Sequence, residues 1–526
     1  MAYAGQSYRI PCAVGGNNYS PNFDSVPPEA MVDPSKNINM NTGGRTKRGG
    51  TAHVNATALP GTYQVMNGYD FRLKNGTRFI MAHTSDGVLY RSADLGASAV
   101  SIKTGLNTSR RSCFATFGNE LYVCDGLTTP QTWDGAAAST SDVTTPALDW
   151  ANGTNEPKYV VVRNVGASKR LIYFGLATDN QALYISSGND GKVVNGGTSA
   201  KVIIETADGF GVVGGVEFGQ RFLAFGKRKA YILDDSDASV SNWGYVPVQW
   251  EGGVAHHDLL VKTGNDLIAM QEDGEIYSVS AVQEFGDYKQ ASIARPAFIH
   301  KWIEDNVNLA LIEQFHAVYD RTTRCVYFFV IRNGQSRVDT ALVYFVDRPP
   351  QDAWMIHDNI VFPSGYSASA SFEVRESTGK YRTYTGDYVG YLWGLQQSAK
   401  NDNGNGFEAK FRTPPDPFGN PRVRKRYRRG LVVFNPFGEY ICNVRWWVDG
   451  VQQTTKQVTT MGQGGSYGSG TYGSSVYGGQ EITDRLFTLG AVGKRVQFEI
   501  ENSVADQDFF ISQILVDHEI LGARAL

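Results

Sequence analysis

The chain alternates short apolar stretches with turn signals, and this pattern recurs along most of its length. Each unit is an apolar strand, a tight turn of the Asp-Gly, Gly-Asn or Gly-Lys kind, and a second strand that carries Tyr or Trp. The units begin at intervals of roughly 35 to 60 residues, which is the size of one blade of a β-propeller. They lie at residues 78–91, 112–126, 169–186, 220–235, 265–280, 325–347 and 381–395.

A hairpin of this kind buries its faces only against a neighbour, so we expect the units to stack radially. The pattern predicts an all-β chain with a β-propeller of about six or seven blades over residues 56–400. Alternating strands return in residues 401–526 and predict a C-terminal β-sandwich-like domain. Residues 1–55 are rich in Pro, Gly and Asn and predict an extended N-terminal arm. The best helical pattern covers residues 305–320, which form either a helix or a short loop element.

Two features stand out in the C-terminal domain. Trp446 and Trp447 are adjacent and therefore lie on opposite faces of a strand, so we expect one in the sandwich core and the other at an interface. A strand covered on both faces would instead bury both. The tract 461–480, rich in Gly, Ser and Tyr, is too poor in apolar residues to form a core and predicts a long loop. It is either a disordered surface loop or a tip or gate loop, with Tyr467, Tyr472 and Tyr477 as the contact residues.

Composition narrows the class of protein. The 526 residues carry a formal charge of −3, and only 19% of them are charged, which argues against a general nucleic-acid binder. No apolar run reaches eighteen residues and the N-terminus lacks a secretory signal, so we expect a soluble product without membrane insertion. The five cysteines predict reduced thiols in a cytosol, although Cys113 and Cys124 have the spacing to face each other across a hairpin.

Catalytic motifs are absent from the sequence. There is no Walker A, GxSxG or HExxH motif and no paired zinc-ligand spacing, and His256 and His257 beside Asp258 have no second cluster. We therefore predict no catalytic residue, no metal and no cofactor. The alternative is a propeller glycosidase or depolymerase, or a carbohydrate-binding propeller. A glycosidase would need two carboxylates close together at the propeller axis.

A basic run at residues 419–434 raises a separate question in a chain so close to neutral. Arg422, Arg424, Arg426 and Arg428 recur at every second position, which predicts one face of a strand, and Lys425 and Arg429 lie in the same run. Three interpretations stay open. The run contacts carboxylates of a neighbouring subunit, holds DNA phosphates in a channel, or protects an edge strand from unwanted pairing.

A second basic group, Arg45, Lys47 and Arg48, lies in the Gly-rich N-terminal segment. We expect it to be an assembly contact or to face a DNA channel, because an extended arm gains order mainly by docking on a partner.

Three stretches together resemble tail hub or nozzle proteins of short-tailed bacteriophages. Residues 27–54 are similar to the opening of that family, with Asn39, Met40, Gly43, Gly44 and an Arg48-Gly49 turn. Residues 209–233 resemble a mid-propeller blade with a Gly-rich entry. Residues 386–434 resemble the passage from the last blade to the C-terminal domain. The chain departs from the family where Lys47-Arg48-Gly49 replaces the commoner Arg-Pro-Gly, and where the tract 461–480 has no counterpart.

The resemblance implies a structural virion protein that catalyses no reaction. Such a protein is made in the host cytoplasm and forms a ring of six copies below the portal and adaptor proteins. The ring would continue the DNA-ejection channel, with transient non-specific contact to double-stranded DNA in its lumen. It would also anchor tail fibres or a closing needle.

Overall fold

A computed structural model describes most of the chain. The described residues are 6–12, 15–93, 99–165, 168–206, 209–281, 288–358, 367–435, 440–460 and 483–521. Five strands precede the repeating part of the chain: β1 (Gln6–Pro11), β2 (Val32–Lys36), β3 (Ile38–Asn39), β4 (Arg45–Lys47) and β5 (Gly50–His53).

Seven four-stranded antiparallel sheets follow within the described ranges, and they confirm the predicted propeller. The first three are β6 (Val65–Arg72), β7 (Arg78–Thr84), β8 (Leu89–Ser92) and β9 (Val100–Lys103); β10 (Cys113–Phe117), β11 (Glu120–Cys124), β12 (Gln131–Trp133) and β13 (Ser141–Asp142); and β14 (Tyr159–Val165), β15 (Ser168–Phe174), β16 (Ala182–Ile185) and β17 (Ala200–Ile203).

The fourth and fifth blades are β18 (Gly214–Phe218), β19 (Arg221–Phe225), β20 (Ala230–Asp234) and β21 (Gly244–Pro247); and β22 (Leu260–Lys262), β23 (Asp266–Met270), β24 (Ile276–Ala281) and β25 (Tyr288–Ser292). The last two are β26 (His316–Asp320), β27 (Cys325–Val330), β28 (Thr340–Phe345) and β29 (Trp354–Asp358); and β30 (Ala370–Arg375), β31 (Tyr381–Gly386) and β32 (Leu392–Gln397), which takes β5 as its fourth strand.

The blades form a closed ring. The first strand of each blade contacts the first strand of the next, and β30 of the last blade contacts β6 of the first. These first strands therefore line the axis. The ring is closed by β5, which pairs with β32 and lies within the segment expected to be an arm. The division at residue 55 thus differs from the structure, because an N-terminal strand completes the last blade.

The hairpins follow their turn chemistry. Between β10 and β11, Gly118 and Asn119 both have positive φ, of 59° and 74°, as a two-residue type I′ turn requires. The register of this hairpin places Cys113 directly opposite Cys124, which confirms that the two face each other. Both are free and buried, and burial raises the pKa of Cys113 to about 12.

The C-terminal part of the chain completes two six-stranded sheets. Its strands are β33 (Ala409–Arg412), β34 (Lys425–Phe434), β35 (Ile441–Val448), β36 (Val451–Gln452), β37 (Lys456–Thr459), β38 (Thr483–Gly493), β39 (Val496–Asn502) and β40 (Phe510–Ile520). Sheet one runs β3-β4-β40-β34-β38, with β1 also paired to β40, and sheet two runs β2-β33-β39-β35-β36, with β37 also paired to β35.

The two sheets pack face to face as the predicted sandwich. Phe487 of sheet one lies 5.5 Å from Trp446 and 6.3 Å from Phe498 of sheet two, measured between ring centroids. Trp446 is buried, as expected for one of the paired tryptophans, whereas Trp447 faces outward beneath the Arg412 guanidinium at 4.2 Å. The N-terminal segment is therefore not a separate arm, since β1 to β4 gain their hydrogen bonds inside the sandwich.

Helices are few and short. The described part of the chain has one α-helix, α1 (Ile299–Asn306), and none of its helices is long and apolar enough to cross a membrane. The stretch 305–320 is not one long helix: it ends α1, forms a short 3-10 helix and enters β26, which is closer to the short loop element than to the helix. The 3-10 helices are Phe23–Ser25, Pro60–Thr62, Val240–Asn242, His257–Leu259, Leu309–Gln314 and Pro350–Asp352.

Candidate functional site

The basic run lies on the outward face of sheet one. Its strand, β34, is paired to β38 on one side and β40 on the other, so the edge-strand interpretation is wrong. The strand begins at Lys425, and Arg422 and Arg424 therefore precede it instead of sharing its face at period two. Arg422, Arg424, Arg426, Arg428 and Arg429 are all exposed. We call these five residues the arginine face.

A β-bulge brings two neighbouring arginines to the same side. Tyr427 pairs with His518 and Arg429 pairs with Asp517, so Arg428 is an extra residue without its own position in the ladder. Strict alternation would point Arg429 into the sandwich together with Tyr427. The bulge instead leaves both Arg428 and Arg429 exposed and returns Gly430 to the buried side.

Acidic and apolar side chains share this surface. Arg428 Nη2 lies 2.6 Å from Glu519 Oε1, and the strand register sets Arg426 opposite Glu519 and Arg429 opposite Asp517. On the other neighbour, Val492 lies opposite Arg426. It is 39% exposed, and nearby Leu486 is 56% exposed. Arginine mixed with apolar area is typical of a protein interface rather than a phosphate track.

Lys425 does not belong to the arginine face. Its side chain is buried, and its Nζ donates to the carbonyl oxygens of Asn420 at 2.8 Å and Val423 at 3.3 Å. Burial lowers the pKa of this ammonium group. Lys425 therefore holds the turn before β34 and is not a surface contact.

The N-terminal basic group is also inside the chain, because Arg45, Lys47 and Arg48 are each 1% exposed or less. Arg48 makes two parallel bonds to Asp402, Nη1 to Oδ1 at 3.0 Å and Nη2 to Oδ2 at 2.7 Å, and its Nε donates to Asn37 at 3.0 Å. These bonds join the N-terminal segment to the connection between the propeller and the sandwich. The assembly-contact prediction is thus corrected for Arg48, whose partner is in its own chain.

Lys47 and Arg45 are equally inaccessible. Lys47 Nζ donates to the carbonyl oxygen of Val504 at 2.8 Å, and burial, with Arg48 close by, lowers its pKa to about 8. Arg45 enters the sandwich with its guanidinium carbon 4.5 Å from the Phe411 ring centre, and burial lowers its pKa. Neither residue can contact a partner or DNA at the surface. Tyr467, Tyr472 and Tyr477 lie outside the described residues.

A second candidate site lies on the propeller axis, as two adjoining cavities of about 340 and 230 Å³. The larger one is at the end where the inner strands begin. Exposed Glu313 and Gln314 on its wall show that it reaches solvent. The lining of this larger cavity, here called the axial cavity, is Gln64, Met66, Thr108, Ser109, Arg110, Arg111, Tyr159, His256, Asp258, Glu313, Gln314 and Tyr388.

Arg111 closes the floor of the axial cavity. It precedes β10 in the second blade and donates across the axis to the carbonyl oxygens of Gln314 at 2.7 Å, Phe315 at 2.9 Å and Ser369 at 3.0 Å. These acceptors precede β26 and β30, in the last two blades. Arg111 and Asp258 line both cavities, with Nη1 and Oδ2 3.8 Å apart. The axis is thus obstructed by side chains and is no path for a polymer.

The histidines near the axis are held neutral. His256 Nε2 lies 3.0 Å from the carbonyl oxygen of Ile312 and therefore donates to it. His316 donates from Nε2 to the carbonyl of Ala368 at 3.1 Å, so its Nδ1 accepts from the Ser371 hydroxyl at 2.7 Å. Burial lowers the pKa of both rings. No group of three or more His, Cys, Asp or Glu in the described residues is placed to hold a metal ion.

Sequence reasoning named Asp258 only as a neighbour of two histidines and missed Arg110, Arg111 and Glu313. These residues are on three separate loops that enter inner strands, and no spacing in one sequence shows that the loops meet. The signal that exists is positional: each residue lies a few positions before the first strand of a blade.

Known proteins are only distantly similar to this chain. No family model and no curated protein sequence matches the chain. Solved structures with similarity include YCF48 from Cyanidioschyzon merolae (11% identity, TM-score 0.40, covering 66% of this chain and 98% of that one). BamB from Moraxella catarrhalis is similar at 10% identity and a TM-score of 0.37, covering 75% and 99%. Similarities at this level carry no argument about function.

Proposed function

We propose that the chain is a structural tail protein of a short-tailed bacteriophage, a hub or nozzle that forms a ring, of six copies in the family it resembles, through the arginine face. The observation that carries this proposal is the arginine face itself: five exposed arginines on a strand paired on both sides, beside exposed Leu486 and Val492. An exposed sheet face of this composition suits a protein partner with carboxylates.

The surface favours a subunit or adaptor contact over DNA. Glu519 and Asp517 lie between the arginines and would repel phosphates, whereas a neighbouring chain can match both signs. In this proposal DNA passes through the hole in the ring and not along the propeller axis, which Arg111 obstructs. The adaptor and portal proteins, the fibres or needle, and a place in the virion tail all follow from the family resemblance and belong to the same proposal.

Single-particle imaging tests the proposal. The full chain is imaged end-on at low and high salt, alone and with an adaptor protein, next to a variant with Gln at all five positions of the arginine face. We expect the wild type to form rings with an open hole as wide as a DNA duplex, and the variant to remain monomeric. Rings that form equally well from the variant would overturn the role of the arginine face.

A control variant removes the same number of positive charges from a different surface. Arg221, Arg295, Arg321, Arg324 and Arg337 are exposed on the propeller, and a variant with Gln at these five positions should still form rings. Wild-type chains that never close into a ring, even with the adaptor present, would refute the hub or nozzle assignment.

A further inference from the structure

The axial cavity has the features of a ready-made ligand site that the proposed tail function does not use. It is formed by loops from several blades around a rigid ring, and a volume of about 340 Å³ is large enough for a small ligand. Arg111 fixes its floor with three hydrogen bonds to backbone carbonyls, so the shape does not depend on a ligand. A preformed cavity of this kind binds without a large ordering cost.

The lining combines hydrogen-bonding groups with aromatic area. Amides come from Gln64 and Gln314, hydroxyls from Thr108 and Ser109, and rings from Tyr159 and Tyr388. Such a wall suits a ligand with many hydroxyl groups, whose C–H faces pack on the rings while its hydroxyls bond to the amides and carboxylates.

The charges point to one negative charge on the ligand. Arg111 is engaged by carbonyls and lies near Asp258, whereas Arg110 has no hydrogen bond or ion pair to any described residue. Lys158 is near enough that Arg110, after burial, helps to lower its pKa. The lining itself holds two cations, Arg110 and Arg111, and two carboxylates, Asp258 and Glu313, while Lys158 lies outside it. Since Arg111 is already engaged, Arg110 is the lining cation that can pair with a charge on the ligand.

From these contacts we infer that the axial cavity binds a monosaccharide unit that carries a carboxylate, with Arg110 holding the carboxylate. Asp258, Glu313 and the two amides accept or donate to the sugar hydroxyls. The inference is independent of the ring proposed above, since it needs only one copy of the chain. An arginine fork matches a carboxylate with two parallel bonds, which gives the site its preference for an acidic over a neutral sugar.

Binding measurements on the full chain test this inference. D-glucuronate, D-galacturonate and N-acetylneuraminate are titrated by calorimetry or saturation-transfer NMR, with D-glucose, acetate and the peptide Gly-Gly-Gly as comparison ligands. We expect at least one acidic sugar to bind at least tenfold more tightly than all three comparison ligands. Equal binding of acetate or the peptide would show a plain anion site and overturn the inference, as would no binding of any acidic sugar.

Two variants locate the site. Arg110→Gln should weaken binding of the acidic sugar at least tenfold, and Arg221→Gln, on the second strand of another blade, should leave it unchanged. The melting temperature without ligand should be unchanged by Arg110→Gln, because Arg110 has no hydrogen bond or ion pair to a described residue, whereas Arg221→Gln loses a 3.8 Å contact between Nη1 and Asp235 Oδ1. Binding that survives Arg110→Gln would place the sugar elsewhere and overturn the assignment. Loss of ring formation would not affect this test.

Discussion

At the residue scale, the most consequential groups are charged or titratable side chains that the fold has buried. His83 of β7 is fully buried with its Nδ1 3.1 Å from the Ser112 hydroxyl, and burial lowers its pKa to about 4, against the raising effect of Asp125 and Asp86. The unfolded chain keeps the ordinary value near 6.5. As the pH falls from 6.5 to 4, the unfolded state therefore binds the proton first, and the stability that neutral His83 contributes is lost.

The first prediction compares the wild type with His83→Gln, which can still accept a bond from Ser112 but does not titrate. The wild type should be the more stable at pH 7, and its advantage in melting temperature should shrink towards pH 4. Glu156 and Glu373, with pKa values raised by burial to about 7, act in the opposite direction in the same window. Their effect cancels in the difference because both variants contain them. An advantage that stays constant with pH would contradict the account.

Individual residues also show which side-chain positions can be predicted from the sequence and which cannot. The sequence predicted that one of Trp446 and Trp447 lies in the core and that Cys113 and Cys124 can face each other, because each prediction depends on local alternation. It placed Lys47 and Arg48 at a surface, because their burial depends on Phe407, Asp402 and Val504, which are more than 350 residues away along the chain. Long-range partners of this kind leave no local pattern.

At the element scale, closure of the propeller ring depends on β5. Its first residue, Gly50, packs against the backbone of the connection after β32, which leaves no room for a side chain at this position. A Cβ on Gly50 would lie 1.8 Å from the carbonyl oxygen of Asn401 and 2.8 Å from that of Ala399. Both neighbours are backbone atoms that cannot rotate away. The backbone of β5 or of the connection after β32 would have to move, and the last blade would lose part of its pairing.

The second prediction is that Gly50→Ala destabilises the chain by at least about 1–3 kcal/mol, the usual cost of overpacking a closed site. Thermal unfolding followed by circular dichroism measures it. Gly244→Ala in β21 is the control, since a Cβ there meets nothing within 4 Å and should change stability by less than about 0.5 kcal/mol. Similar melting temperatures for the two variants would mean that the backbone beside Gly50 can move to admit a side chain at little cost.

The strands were easier to predict from the sequence than the pairing between distant strands. Hairpin units follow from turn residues and apolar alternation, so the propeller was accessible from the sequence. The assignment of β5 to the last blade and of β1 to β4 to the sandwich was not, because these strands are short and their pairing partners are at the other end of the chain. The bulge at Arg428 was missed for a related reason: it is set by the facing strands β38 and β40.

At the scale of the whole molecule, the propeller and the sandwich share one N-terminal segment and one buried ion pair. The segment supplies strands to both sandwich sheets and to the last blade. Arg48, just before β5, binds Asp402, which lies between β32 and β33, and both side chains are 1% exposed. Removing one member of such a pair leaves an unpaired buried charge, which costs about 3–5 kcal/mol.

The last prediction concerns the buried ion pair of Arg48 and Asp402, which lies between the propeller and the sandwich. Asp402→Asn should lower stability by several kcal/mol, and hydrogen exchange followed by mass spectrometry should show faster exchange in β5 of the propeller and in β2 and β33 of the sandwich together. Lys192→Gln is the control, because its ion pair with Glu120 is partly exposed and worth only about 0–1 kcal/mol. If exchange accelerates in only one of the two parts, the ion pair supports that part alone. If it accelerates in both, the ion pair of Arg48 and Asp402 couples the propeller and the sandwich into one cooperative unit.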